Sequence, residues 1–231
     1  MAVTLPHEAM SELFDATLSN DLPSVPDYNV CPSLQVHTVK SVEGVRRIQP
    51  MRWGFIPSWY TKPNDGPLLI NARSETISEK PAFRDACRNR RCLIVADGFY
   101  EWKREKGRTP LPWWVTRDDG APMVFAGIWQ DWERSDEVLS TCAIVTTSAN
   151  EDMAPIHHRL PVILEEEHLA RWLGEEGKGA ATLMRSAPEG ALSFVRVSTM
   201  VNSNKAQGSE LVQPLEAHLP RSGGSNRIVP R

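Results

Sequence analysis

The stretch that decides the fold covers residues 91–104 and reads R-C-L-I-V-A-D-G-F-Y-E-W-K-R. Its first part, residues 92–96, is a short apolar run with the β-branched content of a buried strand. Asp97-Gly98 indicates a tight turn, and a second strand follows over Phe99-Tyr100-Glu101-Trp102. We therefore predict two strands joined as a β-hairpin at Asp97-Gly98.

Glu101 is the first candidate for chemistry. In a strand with a two-residue period, Tyr100 and Trp102 share one face, while Phe99 and Glu101 share the other. A carboxylate held beside an aromatic ring can serve as a general acid or base. A solvated glutamate on the flank of a hairpin has the same local pattern, so both interpretations stay open at this point.

Length and composition narrow the class of protein. The chain has 231 residues, 41% hydrophobic and 24% charged, which fits one large globular domain or two small ones. No apolar run approaches the roughly 18 residues of a membrane helix, and we see no secretory signal. The four cysteines form no CxxC pair, so we expect neither a disulfide framework nor a metal site, and we expect a reducing cytoplasmic setting.

Charge is unevenly distributed along the chain. Residues 1–70 carry 5 basic and 7 acidic side chains, residues 71–108 carry 10 and 6, and residues 109–231 carry 11 and 16. The middle segment is therefore basic within a chain whose net charge is −3. A local basic field of this kind attracts a phosphate backbone, although a solvated basic face gives the same count.

The remaining pattern predicts the α+β class. We predict helices over residues 5–18, capped by Thr4 or Ser11, and over residues 80–90 and 165–173. Predicted strands cover residues 35–42, 46–52, 68–70, 113–116, 123–129, 140–147 and 194–197. Gly44 marks one turn, and Asp118-Asp119-Gly120 predicts a hairpin turn. From Pro220 onward the composition predicts a disordered tail.

Three polar or aromatic clusters follow predicted elements. The loop over residues 53–60 ends in Trp59 and Tyr60, which would either stack on nucleic acid bases or pack beneath the loop. Asn71 comes directly after an apolar strand. His157 and His158 are predicted on a strand, where neighbouring side chains point to opposite faces, so they would not bind one metal together. Either one of them is catalytic and the other solvated, or the pair is structural.

In this order and spacing the segments resemble the SRAP family, the SOS response-associated peptidases. The matching segments are YNVCPS, MRWGFIPSW, INARSET, the FR of PAFRDA, CLIVADGFYEWK, AIVTTSAN, IHHRLPVIL and the close VSTMVNS…GSELVQP. They span about residues 25–215, and INAR, ADGFYEW and IHHR are together highly specific. The resemblance implies mostly antiparallel strands, curled into a barrel-like sheet with flanking helices, in a single domain over residues 1–219.

The resemblance also implies a function. Members of the family bind abasic sites in single-stranded DNA. They begin Met-Cys-Gly-Arg, lose the methionine, and use the new N-terminal cysteine to attack the open-ring aldehyde of the abasic sugar. Its amine and thiol close a thiazolidine ring, which leaves a DNA–protein cross-link. The implied partner is single-stranded DNA with an abasic site. No cofactor, metal or membrane is implied, and we expect a monomer.

The family's functional positions carry over residue by residue. The implied catalytic residues are Asn71, Glu101 and His157. Glu101 would shuttle protons during condensation of the aldehyde with the amine, His157 would protonate the sugar oxygen on ring opening, and Asn71 would hold the amine or sugar by hydrogen bonds. The implied DNA contacts are Arg73, Trp59, Phe83, Arg84 and Arg159, with Tyr60 in place of a second tryptophan.

The start of the chain departs from the family pattern. It reads Met-Ala-Val-Thr, and we expect Met1 to be an internal methionine of a longer chain that carries Met-Cys-Gly-Arg upstream. None of the four cysteines within the chain can substitute, because a thiazolidine needs the thiol and the α-amine on one residue. Without that cysteine, cross-linking would be impaired. Two alternatives remain, a non-covalent single-strand-binding module and an autoproteolytic or trans-acting cysteine hydrolase, as the family's name suggests.

Overall fold

Two β-sheets carry most of the regular structure in the computed structural model, which describes residues 1–134 and 137–215. The helices are α1 (His7–Phe14), α2 (Arg84–Asn89) and α3 (Leu169–Leu173). The strands are β1 (Ala16–Leu18), β2 (Gln35–Val42), β3 (Val45–Trp53), β4 (Asn71–Arg73), β5 (Arg91–Ala96), β6 (Gly98–Lys103), β7 (Leu111–Arg117), β8 (Met123–Arg134), β9 (Glu137–Ser148), β10 (Arg159–Pro161) and β11 (Leu192–Arg196).

The larger sheet closes on itself. Its order runs β3-β2-β5-β8-β9, and β9 then pairs with β3 through Arg52 opposite Thr141 and Trp53 opposite Cys142. The result is a barrel-like ring of five strands, mostly antiparallel, around the main hydrophobic core. The predicted α+β class and the barrel-like closure are confirmed. The turn predicted at Gly44 is confirmed: Glu43 and Gly44 join β2 to β3, and both have positive φ.

The two strands of residues 91–104 exist, but the prediction that they form a hairpin is wrong. β5 pairs with β2 and β8 in the barrel, whereas β6 pairs with β7, and β7 with β11, in a separate three-stranded sheet. The chain crosses between the sheets at Asp97, whose N–H donates to Ala2 O at 2.9 Å. Gly98 is required there, because a Cβ would lie 2.4 Å from Val115 O. The turn at Asp118-Asp119-Gly120 likewise joins two sheets, through β7 and β8, and is not a hairpin.

The predicted first helix is shorter than expected. α1 ends at Phe14, because Asp15 adopts the left-handed conformation with φ of 47°. The chain then forms β1, which pairs with β3 in parallel. The N-cap position is Pro6, and neither Thr4 nor Ser11 caps the helix, since Ser11 Oγ instead donates to Ala16 O at 2.7 Å.

Other predicted boundaries shift by a few residues. The predicted helix over residues 80–90 is helical only as α2, and turns occupy residues 80–83. The helix predicted over residues 165–173 begins as a 3₁₀ turn (Glu166–His168) and continues as α3. No helix of the described residues is long and apolar enough to cross a membrane. The domain boundary predicted at residue 219 and the tail predicted from Pro220 lie outside the described residues.

The first three residues pair with neighbouring segments on both sides through isolated β-bridges and backbone hydrogen bonds. Met1 exchanges backbone hydrogen bonds with Val30, and Val3 with Asp27, on one side. Ala2 pairs with Gly98 of β6 on the other side. The amine of Met1 is buried and donates to Val30 O at 3.0 Å, and burial lowers its pKa to about 6. The start of the described chain is therefore fixed against the small sheet.

Gly127 on β8 tests the packing of the barrel. A Cβ at this position would lie 2.9 Å from Cys92 Sγ and 3.0 Å from Ile94 Cδ1. We predict that Gly127→Ala lowers the free energy of unfolding by about 1–3 kcal/mol, measured by urea denaturation, because overpacking forces neighbouring side chains to move. In a Cys92→Ala background the loss should be smaller. Equal losses in both backgrounds would contradict this account of the packing.

Candidate nucleic-acid site

The carboxyl end of β9 is paired along both of its edges by short strands. β4 runs parallel to it, with Asn71 opposite Ile144 and Arg73 opposite Thr146. β10 runs antiparallel to it, with Arg159 opposite Ser148. Three strands from distant parts of the sequence therefore meet over a few residues of β9.

Strand alternation sets the facing of the side chains at this junction. Ala72 on β4 and Leu160 on β10 are both 0% exposed and belong to the main core. Their strand neighbours Asn71, Arg73 and Arg159 therefore point to the opposite face. The same face carries the partly exposed side chains that the sequence predicts as a site.

Glu101 reaches this region from the small sheet. Phe99, on the same face of β6, packs against Phe125 of the barrel with ring centroids 6.0 Å apart. Glu101 lies two residues further along the same face, beyond the core, with its Oε2 3.7 Å from His157 Nδ1. Its Oε1 accepts from the backbone N–H of Trp102 at 3.0 Å. The site thus lies where the two sheets meet.

The two histidines do not lie on a strand, which corrects the prediction. They lie just ahead of β10, where the chain is irregular, and their rings are neighbours with centroids 4.5 Å apart. His157 Nδ1 is 3.2 Å from the N–H of Arg159 and 3.3 Å from Arg159 O. With a donor and two acceptor oxygens around Nδ1, His157 has partners in both its neutral and its protonated form.

Arg159 is held by a two-pronged ion pair. Its Nη1 and Nη2 lie 2.7 and 2.8 Å from the two carboxylate oxygens of Glu75, and Nη2 also donates to Thr146 O at 2.8 Å. The hydrogen bonds from Arg159 hold the pKa of Glu75 down, at about 2. The Nε of Arg159 is buried and has no hydrogen-bond partner among the described residues. Glu75 is therefore built into the site, and the sequence reading missed it.

A second set of residues missed by the sequence lies in register with Glu101. Trp113 of β7 is opposite Glu101, and Arg196 of β11 is opposite Trp113. The guanidinium of Arg196 lies 5.6 Å from the centroid of the Trp113 ring. The two-residue period of these strands shows which side chains share a face, but it identifies neighbours of Glu101 only once the pairing of the strands is known.

The aromatic loop forms a second group beside the first. Trp59 is 55% exposed and its ring meets Tyr60 edge-on at 6.3 Å, so of the two alternatives left open by the sequence, packing beneath the loop does not describe Trp59. Trp59 also borders a cavity of ≈ 430 Å³ that Pro81 and Asp85 line. Backbone pairing of Phe55 with Leu69 joins the loop to the segment that leads into β4.

The two remaining predicted DNA contacts differ in exposure. Arg84 is exposed at the first position of α2. Phe83 is only 8% exposed and packs edge-on against Phe55, with ring centroids 5.4 Å apart. Phe83 therefore packs against the loop of residues 53–60 through Phe55, and its contact with DNA stays a prediction.

Comparison with protein families identifies the class. The model of the family described as SOS response associated peptidase (SRAP) matches residues 1–204, and the chain belongs to this family. Among curated relatives, it is 38% identical over 198 residues to the abasic site processing protein YoaM of Bacillus subtilis, covering 84% of this chain and 87% of YoaM. It is 34% identical over 207 residues to the abasic site processing protein YedK of Escherichia coli, covering 86% and 90%.

More distant comparisons agree. The chain is 30% identical over 250 residues to the abasic site processing protein HMCES of Pongo abelii, covering 88% of this chain and 70% of that protein. A solved structure of a protein from Bacteroides thetaiotaomicron superposes with a TM-score of 0.70 at 26% identity, covering 79% of this chain and 82% of that one. The fold and the family are thereby established.

The ion pair between Glu75 and Arg159 predicts a pH dependence of stability. The pKa of Glu75 is about 2 in the folded chain, against 4.5 as the ordinary value, so the pair stabilises fully above pH 4.5 and is lost as the pH falls toward 2. Because 45% of the Glu75 side chain is exposed, we expect Glu75→Gln to cost under about 1 kcal/mol at pH 6.

Urea denaturation of the unchanged chain and of Glu75→Gln at pH 6, 4, 3 and 2 measures how much the ion pair stabilises the fold. The difference between the unchanged chain and Glu75→Gln should shrink steadily below pH 4.5. A difference that stays constant down to pH 2 would show that the carboxylate does not stabilise through Arg159.

Proposed function

We propose that this chain binds abasic sites in single-stranded DNA and, with a cysteine at the N-terminus of the mature protein, forms a covalent thiazolidine cross-link to the abasic sugar. The observation that carries the proposal is the meeting of Glu101, on β6 of the small sheet, and His157, just ahead of β10 of the larger sheet, 3.7 Å apart beside Arg159. The names of YoaM, YedK and HMCES as abasic site processing proteins support it.

The register at the start of the chain supports the covalent step. Ala2 pairs antiparallel with Gly98, which sets Met1 opposite Phe99, so residues ahead of Met1 that continued this pairing would run along β6 past Tyr100 and Glu101. The third residue ahead of Met1 would then lie near Glu101 and Trp102. A Cys-Gly-Arg segment in that place would bring the thiol and α-amine of its cysteine to the carboxylate.

Each catalytic residue has a defined task in this proposal. The amine adds to the C1 aldehyde of the open sugar, water leaves to give an imine, and the thiol then adds to the imine carbon and closes the ring. Glu101 takes the proton from the amine and returns one to the departing hydroxyl. His157 donates a proton to the ring oxygen of the closed sugar as it opens. Asn71 holds the sugar or the amine through its amide.

The flanking residues would bind the DNA strand around the lesion. Arg73, Arg84 and Arg159 would contact phosphates, for which the planar guanidinium is well suited. Trp59 and Tyr60 would stack on bases next to the lesion, and Phe83 would hold their loop in place. The lesion itself lacks a base, so little stacking energy is lost when its sugar approaches Glu101 and His157.

The peptidase alternative has less support. The nucleophile of a cysteine hydrolase is the thiolate, and burial raises the pKa of Cys31, Cys87, Cys92 and Cys142 alike. A non-covalent single-strand-binding module remains the second candidate, favoured by the exposed Trp59 and the basic segment of residues 71–108. We further propose that the protein acts as a monomer in the cytoplasm, where an N-terminal thiol stays reduced.

A denaturing gel tests the covalent proposal. Single-stranded DNA with one abasic site is incubated with the chain as given and with a version that begins Cys-Gly-Arg ahead of Met1. We expect a boiling-resistant shifted band only with the extended protein, because only it carries a thiol and an α-amine on one residue. In the extended protein, Glu101→Gln should slow cross-linking about 100-fold or more, as expected for loss of a general acid or base.

Glu105→Gln is the matched control, because this carboxylate lies beyond the end of β6 and pairs with Arg108. It should cross-link at the unchanged rate. A band with neither protein would sink the covalent step and leave the binding module, whereas a band with the chain as given would mean that another group is the nucleophile.

Salt dependence tests the binding surface without requiring cross-linking. Each phosphate contact to a single strand contributes about −0.7 to the slope of log K against log salt. We predict that Arg73→Gln and Arg159→Gln each make the slope shallower by about 0.7, measured by fluorescence anisotropy at several salt concentrations. Arg171→Gln, on α3 and paired with Glu176, is the control and should leave the slope unchanged. Equal slopes for all proteins would contradict the assignment of these arginines to phosphates.

A further inference from the structure

Two histidines outside the DNA site converge on one backbone oxygen. His7, the first residue of α1, and His37 on β2 approach with their Nε2 atoms 3.1 Å apart. Each of these nitrogens also lies 3.0 Å from the carbonyl oxygen of Pro23. The three atoms therefore form a nearly equilateral triangle, with His37 buried and His7 partly exposed.

Hydrogen bonding leaves one of the three contacts in this triangle without a hydrogen bond. A carbonyl oxygen only accepts, so two hydrogen bonds to Pro23 O would require a proton on both Nε2 atoms. The two N–H groups would then both point at Pro23 O, with their nitrogens crowded to 3.1 Å and no hydrogen bond between them. If one Nε2 instead accepts from the other, its lone pair faces the lone pairs of the carbonyl oxygen at 3.0 Å. In either arrangement one close contact between polar atoms is not a hydrogen bond.

A metal ion would make all three contacts favourable. Zinc binds imidazole nitrogen at about 2.0–2.1 Å, so two such ligands at the tetrahedral angle lie about 3.3 Å apart. The separations of 3.0–3.1 Å in the triangle are close to that value. Imidazole suits zinc, copper and nickel in particular.

We propose that His7 Nε2, His37 Nε2 and the carbonyl oxygen of Pro23 bind a divalent transition metal ion of the zinc type, with water completing the coordination. The described residues contain no group of three or more His, Cys, Asp or Glu side chains that would hold a metal, so this site uses two side chains and a backbone oxygen. The sequence expectation that no metal binds was based on the cysteines. It did not consider His7 and His37, because the two histidines are 30 residues apart in sequence.

The place of the site in the fold gives the metal a structural task. It would join the first turn of α1, the Pro23 segment and β2 of the barrel. The Pro23 segment continues to Asp27, which pairs with Val3, and to Val30, which exchanges backbone hydrogen bonds with Met1. Metal binding would therefore stiffen the segment that positions residues 1–3 against β6.

Titration of metal-free, tag-free protein with zinc tests the proposal. We expect calorimetry to show one saturable site, and the melting temperature to rise by about 5 °C at a zinc concentration a hundredfold above Kd. His7→Gln, in a partly exposed position, should weaken the affinity about tenfold or more, since it removes a direct ligand. His158→Gln is the matched control, because the His157–His158 pair is the other place in the described part of the chain where two histidine rings adjoin, and it should bind zinc unchanged.

A second measurement avoids any loss of folding in the variants. In the unchanged chain, zinc should shift the Nε2 resonances of His7 and His37 in nitrogen-15 NMR spectra and leave those of His168 in place. Absence of saturable binding, equal affinity in His7→Gln, or loss of binding in His158→Gln would each overturn the proposal.

Discussion

Pairing of both edges of β9 at its carboxyl end is the constraint on which the rest of the site depends. β4 and β10 are only three residues long and would not hold a position by themselves. Their registers fix Ala72 and Leu160 in the core, and strand alternation then leaves Asn71, Arg73 and Arg159 on the other face. A shift of the pairing by one residue would turn Asn71, Arg73 and Arg159 into the core. The same register therefore packs the core and exposes the site residues.

A second constraint is the passage of the chain between the sheets at Asp97-Gly98. The close approach of Gly98 to Val115 O and Trp114 lets β6 leave the barrel and begin the small sheet. Because Ala2 pairs at the same point, the start of the chain, β6 and the edge of the barrel are fixed together. Glu101 then reaches His157 across the two sheets, so neither sheet alone contains the proposed catalytic pair.

The sequence predicted most strands, the α+β class and the family, because hydrophobic alternation and the specific segments are local signals. It could not predict which strands pair. Residues 91–104 have the local pattern of a hairpin, yet β5 and β6 find partners far along the chain. For the same reason the roles of Glu75, Trp113 and Arg196 were missed, since each depends on a residue brought near by pairing. The sequence also predicts His157 and His158 on a strand, whereas backbone contacts of Arg159 set the His157 ring just ahead of β10.

Mass spectrometry of the cross-linked protein would test the proposed chemistry most directly. The protein extended by Cys-Gly-Arg ahead of Met1 is reacted with abasic single-stranded DNA, digested with nuclease and protease, and the modified peptide is sequenced. We predict that the sugar remnant lies on the N-terminal cysteine alone, with the mass of the condensed product that has lost one water. A remnant on Cys31, on a lysine, or on no defined residue would contradict a thiazolidine formed beside Glu101 and His157.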